Sequence, residues 1–165
     1  MICLKRRGGR SSKIGEYTVA SRIGSGRYGV CFLAHGPTGK TVVLKRFRPR
    51  MLRKNRQQNH YEAVILSGLS HPAVPELLGV VNCRQGYYYV LEYKEGASLE
   101  EWLFKRRRVF SPEEIYRIGS QLFDILKYLH GRNVVHGDVS AANLLYDGEK
   151  LSLLDFGLAR YADGR

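Results

Sequence analysis

Residues 136–143 read HGDVSAAN and residues 151–157 read LSLLDFG. Between them, LLY and then DGEK spell a short strand and a tight turn, so the segment reads loop, strand, turn, strand. Asp138, Asn143 and Asp155 lie five and twelve residues apart within it. That spacing predicts two hard oxygen ligands and one isolated carboxylate on adjacent loops. Magnesium takes such oxygen ligands together with phosphate oxygens. Each residue alone is an ordinary turn former, so the reading rests on the set.

Upstream, Ser111-Pro112-Glu113-Glu114 has the signature of a helix start, with proline at the first position and a glutamate placed for a capping box. The predicted helix runs from Pro112 to Gly131 and buries Ile115, Ile118, Leu122, Ile125, Leu126 and Leu129. A shorter helix is expected from Ser98, with Glu101 three residues on. PELLGVVNC and GYYYVLEY read as strands joined by the turn RQG. Residues from Met51 to Leu69 have helical period, with Tyr61, Ile65 and Leu69 on one face.

The amino-terminal part supplies a second chemical set. GSGRYG, Gly24 to Gly29, lies between two predicted strands, where glycines let backbone amides close over phosphates. A dinucleotide site needs a helix directly after the last glycine, and here a strand follows. Lys45 sits on the strand TVVLKRF among apolar neighbours and needs a partner, for which Glu62, seventeen residues on, is the candidate. A snorkelling lysine and a solvated helix acid are the bland alternatives.

The 165 residues carry 27 Lys+Arg against 15 Asp+Glu, a formal charge of +12. Such a chain is attracted to something anionic, and charge alone does not select which. The runs Lys45 to Arg56 and Lys105 to Arg108 face acidic protein or lipid, or are simply solvated. Nucleic acid is not expected, because Tyr87, Tyr88 and Tyr89 form no stacking pattern with the basic runs. Cys3, Cys31 and Cys83 have no metal-ligand spacing, which favours a reducing compartment. No apolar run reaches the length of a secretory signal or a membrane span. The expected location is cytoplasmic, or a host cell reached by a secretion route that leaves no readable signature.

In order, GSGRYG, VLK, Glu62, LSHPAV, VLEY, HGDVSAAN and DFG resemble the eukaryotic-type (Hanks-type) protein kinases from glycine loop to DFG. The resemblance implies an α+β, bilobal fold. Residues 1–15 would be a flexible basic terminus, and 16–92 an N-lobe of five antiparallel strands with one helix. Residues 93–165 would be a much reduced helical C-lobe. It implies ATP and Mg as cofactors, with Lys45, Asp138, Asn143 and Asp155 as the catalytic set. Lys45 would bind the α and β phosphates and pair with Glu62; Asp138 would orient or deprotonate the acceptor hydroxyl; Asn143 and Asp155 would hold the metal. The nucleotide would be lined by Ile23, Gly24, Ser25, Gly26, Gly29, Cys31 and Val43. Leu91 would guard the back of the pocket, Glu92 and Lys94 would form the adenine hinge, and Leu145 the floor. Leu66, Leu77, His136 and Phe156 are similar to the family's stacked apolar spine.

Four departures qualify the likeness. Gly137 stands where the family usually has arginine. Ser140 stands where serine/threonine kinases place a lysine, a feature reminiscent of the atypical RIO kinases and small-molecule phosphotransferases. Cys31 stands where valine is usual, which makes an accessible thiol an expectation. The sequence ends eight residues after Gly157, before any activation segment. It thereby resembles short bacterial effector kinases supported by a host ubiquitin-conjugation component. The implied function is a minimal ATP- and magnesium-dependent serine/threonine kinase acting on a protein substrate, stimulated by a protein activator. A pseudokinase or nucleotide-binding scaffold, and a small ATPase or small-molecule kinase, are the alternatives.

Overall fold

The computed structural model describes residues 12–25, 29–47 and 56–164. Gly26, Cys3, most of the basic terminus and most of the basic run before Arg56 lie outside them.

The first half is a sheet. β1 (Lys13–Ile14), β2 (Tyr17–Ser25), β3 (Gly29–His35), β4 (Thr41–Phe47), β5 (Leu77–Cys83) and β6 (Gly86–Glu92) pair antiparallel in the order β1-β2-β3-β4-β6-β5. The five expected strands are present, and β1 is a sixth. Residues 13–14 are therefore not part of a flexible terminus: Ile14 is buried, and the left-handed Gly15 turns the chain back so that Val19 N–H reaches the Ser12 carbonyl. Strand alternation sends Val42, Leu44, Tyr88 and Val90 to one face, where they pack with Ile14 and Ala34.

The other face receives helix α1, Arg56–Ser67. Among its described side chains Glu62, Ile65 and Leu66 are buried; of the predicted Tyr61-Ile65-Leu69 face, Ile65 and Leu69 are inside as expected and Tyr61 is exposed. The carboxylate of Glu62 takes the inward position that an apolar reading assigned to Tyr61.

Beyond β6 the chain becomes mainly helical and loop. The short helix expected from Ser98 follows a two-residue strand, β7 (Ala97–Ser98), and runs over residues 99–105, its Glu101–Lys105 part being π-type. Ser98 caps it, its Oγ accepting from Glu101 N–H at 3.0 Å, and Ala97 and Ser98 also pair with Tyr146 and Leu145, which the sequence reading did not foresee. Helix α2 spans Pro112–Gly131 with the full capping box between Ser111 and Glu114. Ile125 and Leu129 are buried, and Ile118 and Leu122 pack at the edge of the same core. Ile115 was expected to be buried too, but it is largely exposed, because the core does not extend under the first turn of α2.

β8 (Val134–Val135), β9 (Leu144–Tyr146), β10 (Leu151–Leu153) and β11 (Arg160–Tyr161) complete the chain, with sheet orders β10-β9-β7 and β11-β8. A second apolar core joins α1, α2 and these strands: Leu66 from α1 shares it with Ile125, Leu144, Leu153 and Phe156. The architecture is α+β, a curled antiparallel sheet over a small helical floor. Among the described residues no helix is long and apolar enough to cross a membrane.

Candidate active site

In antiparallel strands, residues directly opposite share a face. Cys31 lies opposite Lys45, Lys45 opposite Tyr89, and Val43 opposite Leu91, so these five line the α1 side of the sheet. Gly24 is the partner of Cys31, Ser25 follows it in β2, and Gly29 opens β3, so the described glycines lie at the adjoining ends of β2 and β3. Ile23 sits at a register shift between Arg22 and Gly24 and is half exposed.

Lys45 is 5% exposed and Glu62 2%. The Lys45 Nζ lies 2.6 Å from Glu62 Oε1 and 2.9 Å from Asp155 Oδ1, drawing together β4, α1 and the loop after β10. Burial alone would pull the ammonium toward neutrality; Glu62 and then Asp155 reverse this and lift its pKa above the ordinary lysine value. For Asp155, burial is outweighed by the charge and hydrogen bond of Lys45 and by Gly157 N–H, and its carboxyl titrates below the usual range. For Glu62, burial prevails over Lys45 and the pKa is raised. Two acids share one base, and the more deeply buried acid bears the larger desolvation.

Asp155 is held in the left-handed region at φ +58°, uncommon for a residue with a side chain. Its Oδ1 accepts from Lys45 and, at 3.2 Å, from Gly157 N–H. A Cβ on Gly157 would approach this oxygen to 3.1 Å, so a larger residue there would press on the Asp155 carboxylate.

The loop before β9 is fixed through its own polar groups. Asn143 Nδ2 donates to the Asp138 carbonyl at 2.9 Å and to Asp138 Oδ2 at 3.1 Å. Asn143 O accepts from Leu154 N–H at 2.8 Å, which sets this loop beside Asp155. His136 Nδ1 accepts from Asp138 N–H at 3.2 Å, so its proton resides on Nε2, which donates to the Leu154 carbonyl at 2.9 Å. Burial lowers the His136 pKa and keeps the ring neutral, edge-on to Phe156 with centroids 4.8 Å apart. Of the four residues likened to a spine, Leu66 and Phe156 are in the second core, Leu77 packs at its margin, and His136 meets Phe156 edge-on.

At the end of β6, Glu92 N–H bonds the Glu76 carbonyl, and Lys94 Nζ donates to the Pro72 carbonyl at 2.7 Å and to Glu92 Oε1 at 2.9 Å. Leu145 lies on the face of β9 opposite the buried Leu144 and Tyr146. The Cys31 thiol is half-buried, and burial raises its pKa, so the expected accessible thiol is a protonated one at neutral pH. Sequence reasoning missed Tyr89, assigned to strand packing alone. It lies behind the Lys45–Glu62 pair, and its phenol pKa is raised by burial, then by Tyr87 and Glu62. Strand parity with Leu91 was the available signal.

Among the described residues no group of three acidic, histidine or cysteine side chains converges as a metal cage. A magnesium ion bound through few protein oxygens and completed by phosphate and water fits this set. Gly157 N–H and Lys45 both fall on Oδ1 of Asp155, and Asn143 uses its amide nitrogen toward Asp138. Among the described residues, one carboxylate oxygen of Asp155 and the amide oxygen of Asn143 carry no such bond and could serve as ligands.

The protein kinase domain family matches residues 17–165. The chain belongs to the protein kinase family. The probable serine/threonine-protein kinase YbdM of Bacillus subtilis is 32% identical over 148 residues, covering 88% of this chain and 58% of the relative. A probable serine/threonine-protein kinase of Dictyostelium discoideum is 36% identical over 157 residues, 92% of this chain and 31% of the relative. The carbon catabolite-derepressing protein kinase of Saccharomyces cerevisiae is 32% identical over 150 residues, 88% of this chain and 23% of the relative. The kinase chain therefore spans less than two-thirds of the length of each. Protein kinases as a family work on ATP with magnesium.

Proposed function

We propose that the chain transfers the γ-phosphoryl group of ATP, with magnesium, to a serine or threonine hydroxyl of a protein. The observation that carries this reading is the Lys45 ammonium held between Glu62 at 2.6 Å and Asp155 at 2.9 Å. It supports a nucleotide cleft with the adenine slot formed by Ile23, Cys31, Val43, Leu91 and Leu145, and with Glu92 and Lys94 as the hinge between lobes 16–92 and 93–165. Gly24, Ser25, Gly26 and Gly29 would cover the phosphates, and Lys45 would hold the α and β groups. The acceptor oxygen bonds to the γ phosphorus as the bond to the β–γ bridging oxygen breaks; ADP leaves, and the hydroxyl proton passes to Asp138. Asn143 and Asp155 would hold magnesium, which supplies charge neutralisation along the phosphates when bound. Transfer chemistry of this kind asks for positioning and electrostatics.

Ser140 is exposed where the family commonly has a lysine, which favours a second reading in which transfer is slow or mainly hydrolytic, as in a small ATPase. Stimulation by a protein activator, an effector role inside a host cell and a cytoplasmic setting belong to this proposal through the resemblance to short kinases. Cys31 and Cys83, both unpaired, suit a reducing compartment.

Incubation with γ-labelled ATP and a generic protein, with and without magnesium, tests the reading. Label on protein that disappears in Asp138→Asn and Lys45→Met supports it. Phosphate release without labelled protein supports the ATPase, and neither product with bound nucleotide supports a scaffold.

A further inference from the structure

Helix α2 has two unlike sides. Ile118, Leu122, Ile125 and Leu129 face the core, and the opposite side carries two aromatic rings in water: Tyr116, 78% exposed, and Phe123, 67% exposed. Seven residues separate the rings, two helical turns, so they lie on one stripe with Ser120 between them. Exposed aromatics in one row on a helix that already has its core contacts mark an interaction surface.

The charges on the same stripe have a defined order. Glu113, Arg117, Asp124 and Lys127 follow at helical spacing, reading acid, base, acid, base. Arg117, Asp124 and Lys127 have no ion-pair partner among the described residues. An open groove borders the stripe at Pro112, Tyr116 and Ser120.

We propose that this stripe is a self-association face, on which two copies of the chain cross α2 against α2, antiparallel, about a two-fold axis beside Ser120. In such an interface residue i meets j and j meets i. Residues equally distant on either side of Ser120 then face each other, which places Glu113 against Lys127 of the second copy. Arg117 meets Asp124, and Tyr116 meets Phe123, each within one residue of register. Both ionic matches occur twice. A parallel arrangement would set each charge against its own kind, so the order of charges selects the antiparallel one. The small Ser120 at the crossing permits the 8–10 Å axial separation of packed helices, about the usual value. The stripe spans about 21 Å of helix and carries no net charge, so the excess of +12 on each chain is not concentrated at the contact.

Sedimentation velocity of the purified chain over a wide concentration series tests this without nucleotide or substrate. The mass should rise from 18.8 kDa toward twice that value. Asp124→Arg should weaken the apparent Kd by about tenfold or more, and Arg117→Asp combined with Asp124→Arg should restore it. Phe123→Ser should also weaken association, and unfolding midpoints of all variants should match the parent at dilutions where the parent is monomeric, since every altered side chain is exposed. A chain monomeric at every concentration overturns the proposal. So does a dimer indifferent to Asp124→Arg, or one that the double exchange fails to restore.

Discussion

A Cβ placed on Gly137 would stand 2.8 Å from the Leu158 carbonyl oxygen, and Gly137 has a φ of +79°. The residue ahead of Asp138 is thus constrained by both its own backbone and the chain after Asp155. Gly137→Ala or Gly137→Arg should lower stability by about 1–3 kcal/mol, measured by chemical denaturation. An unchanged midpoint would show that the Leu158 carbonyl moves aside freely.

Lys45→Met leaves the Glu62 carboxyl buried without its cation. The expected loss is roughly 3–5 kcal/mol near neutral pH. Without Lys45 the folded pKa of Glu62 rises further; a raised folded pKa gives stability that is full below the unfolded value of 4.5 and lost as pH rises through the folded value. The deficit of Lys45→Met should therefore shrink as pH falls toward 4.5, and adding Glu62→Leu should recover part of it at neutral pH. A pH-independent deficit would contradict this account of the pair.

His136 and His71 both have depressed pKa values, burial being the first cause in each. Neutral rings then contribute stability above the ordinary value of 6.5 that is lost as pH falls through the folded pKa. Folding stability should decline on acidification below about 6.5, and His136→Phe should flatten that decline, leaving the part due to His71. A slope identical in His136→Phe would remove His136 from the balance.

Ser111→Ala removes the hydroxyl that accepts Glu114 N–H at the start of α2. A loss of about 1 kcal/mol is expected by denaturant titration. Glu114→Gln, which keeps an acceptor for Ser111 N–H, should lose less.

Much of this fold is legible where local chemistry decides it. The bounds of α2 follow from Ser111, Pro112 and Glu114, and the strand-turn-strand of residues 144–153 follows from alternation and DGEK. Lys45 announces a partner because it stands among apolar strand residues, and Glu62 is on the next helix. What stayed hidden depends on tertiary context. Ser98 announces the helix it caps, but its pairing, with Ala97, to Leu145 and Tyr146 across forty-odd residues has no local signal. Tyr61 looks apolar enough to be inside with Ile65 and Leu69, but its neighbour Glu62 takes the buried place beside Lys45. Ile14 sits in a basic, glycine-rich stretch, and only the curl of the sheet shows that it has a core to enter. The strain at Asp155 and the tautomer of His136 have no sequence signal, since each depends on hydrogen bonds between separate loops.

In the proposed function Lys45, Asn143 and Asp155 serve one nucleotide and its divalent ion. Isothermal titration of a non-hydrolysable ATP analogue, with magnesium and with chelator, tests that arrangement. Binding should weaken at least about tenfold without magnesium, be likewise weakened in Asp155→Asn, and become insensitive to magnesium in that variant. Equal affinity with and without magnesium, unchanged by Asp155→Asn, would contradict it.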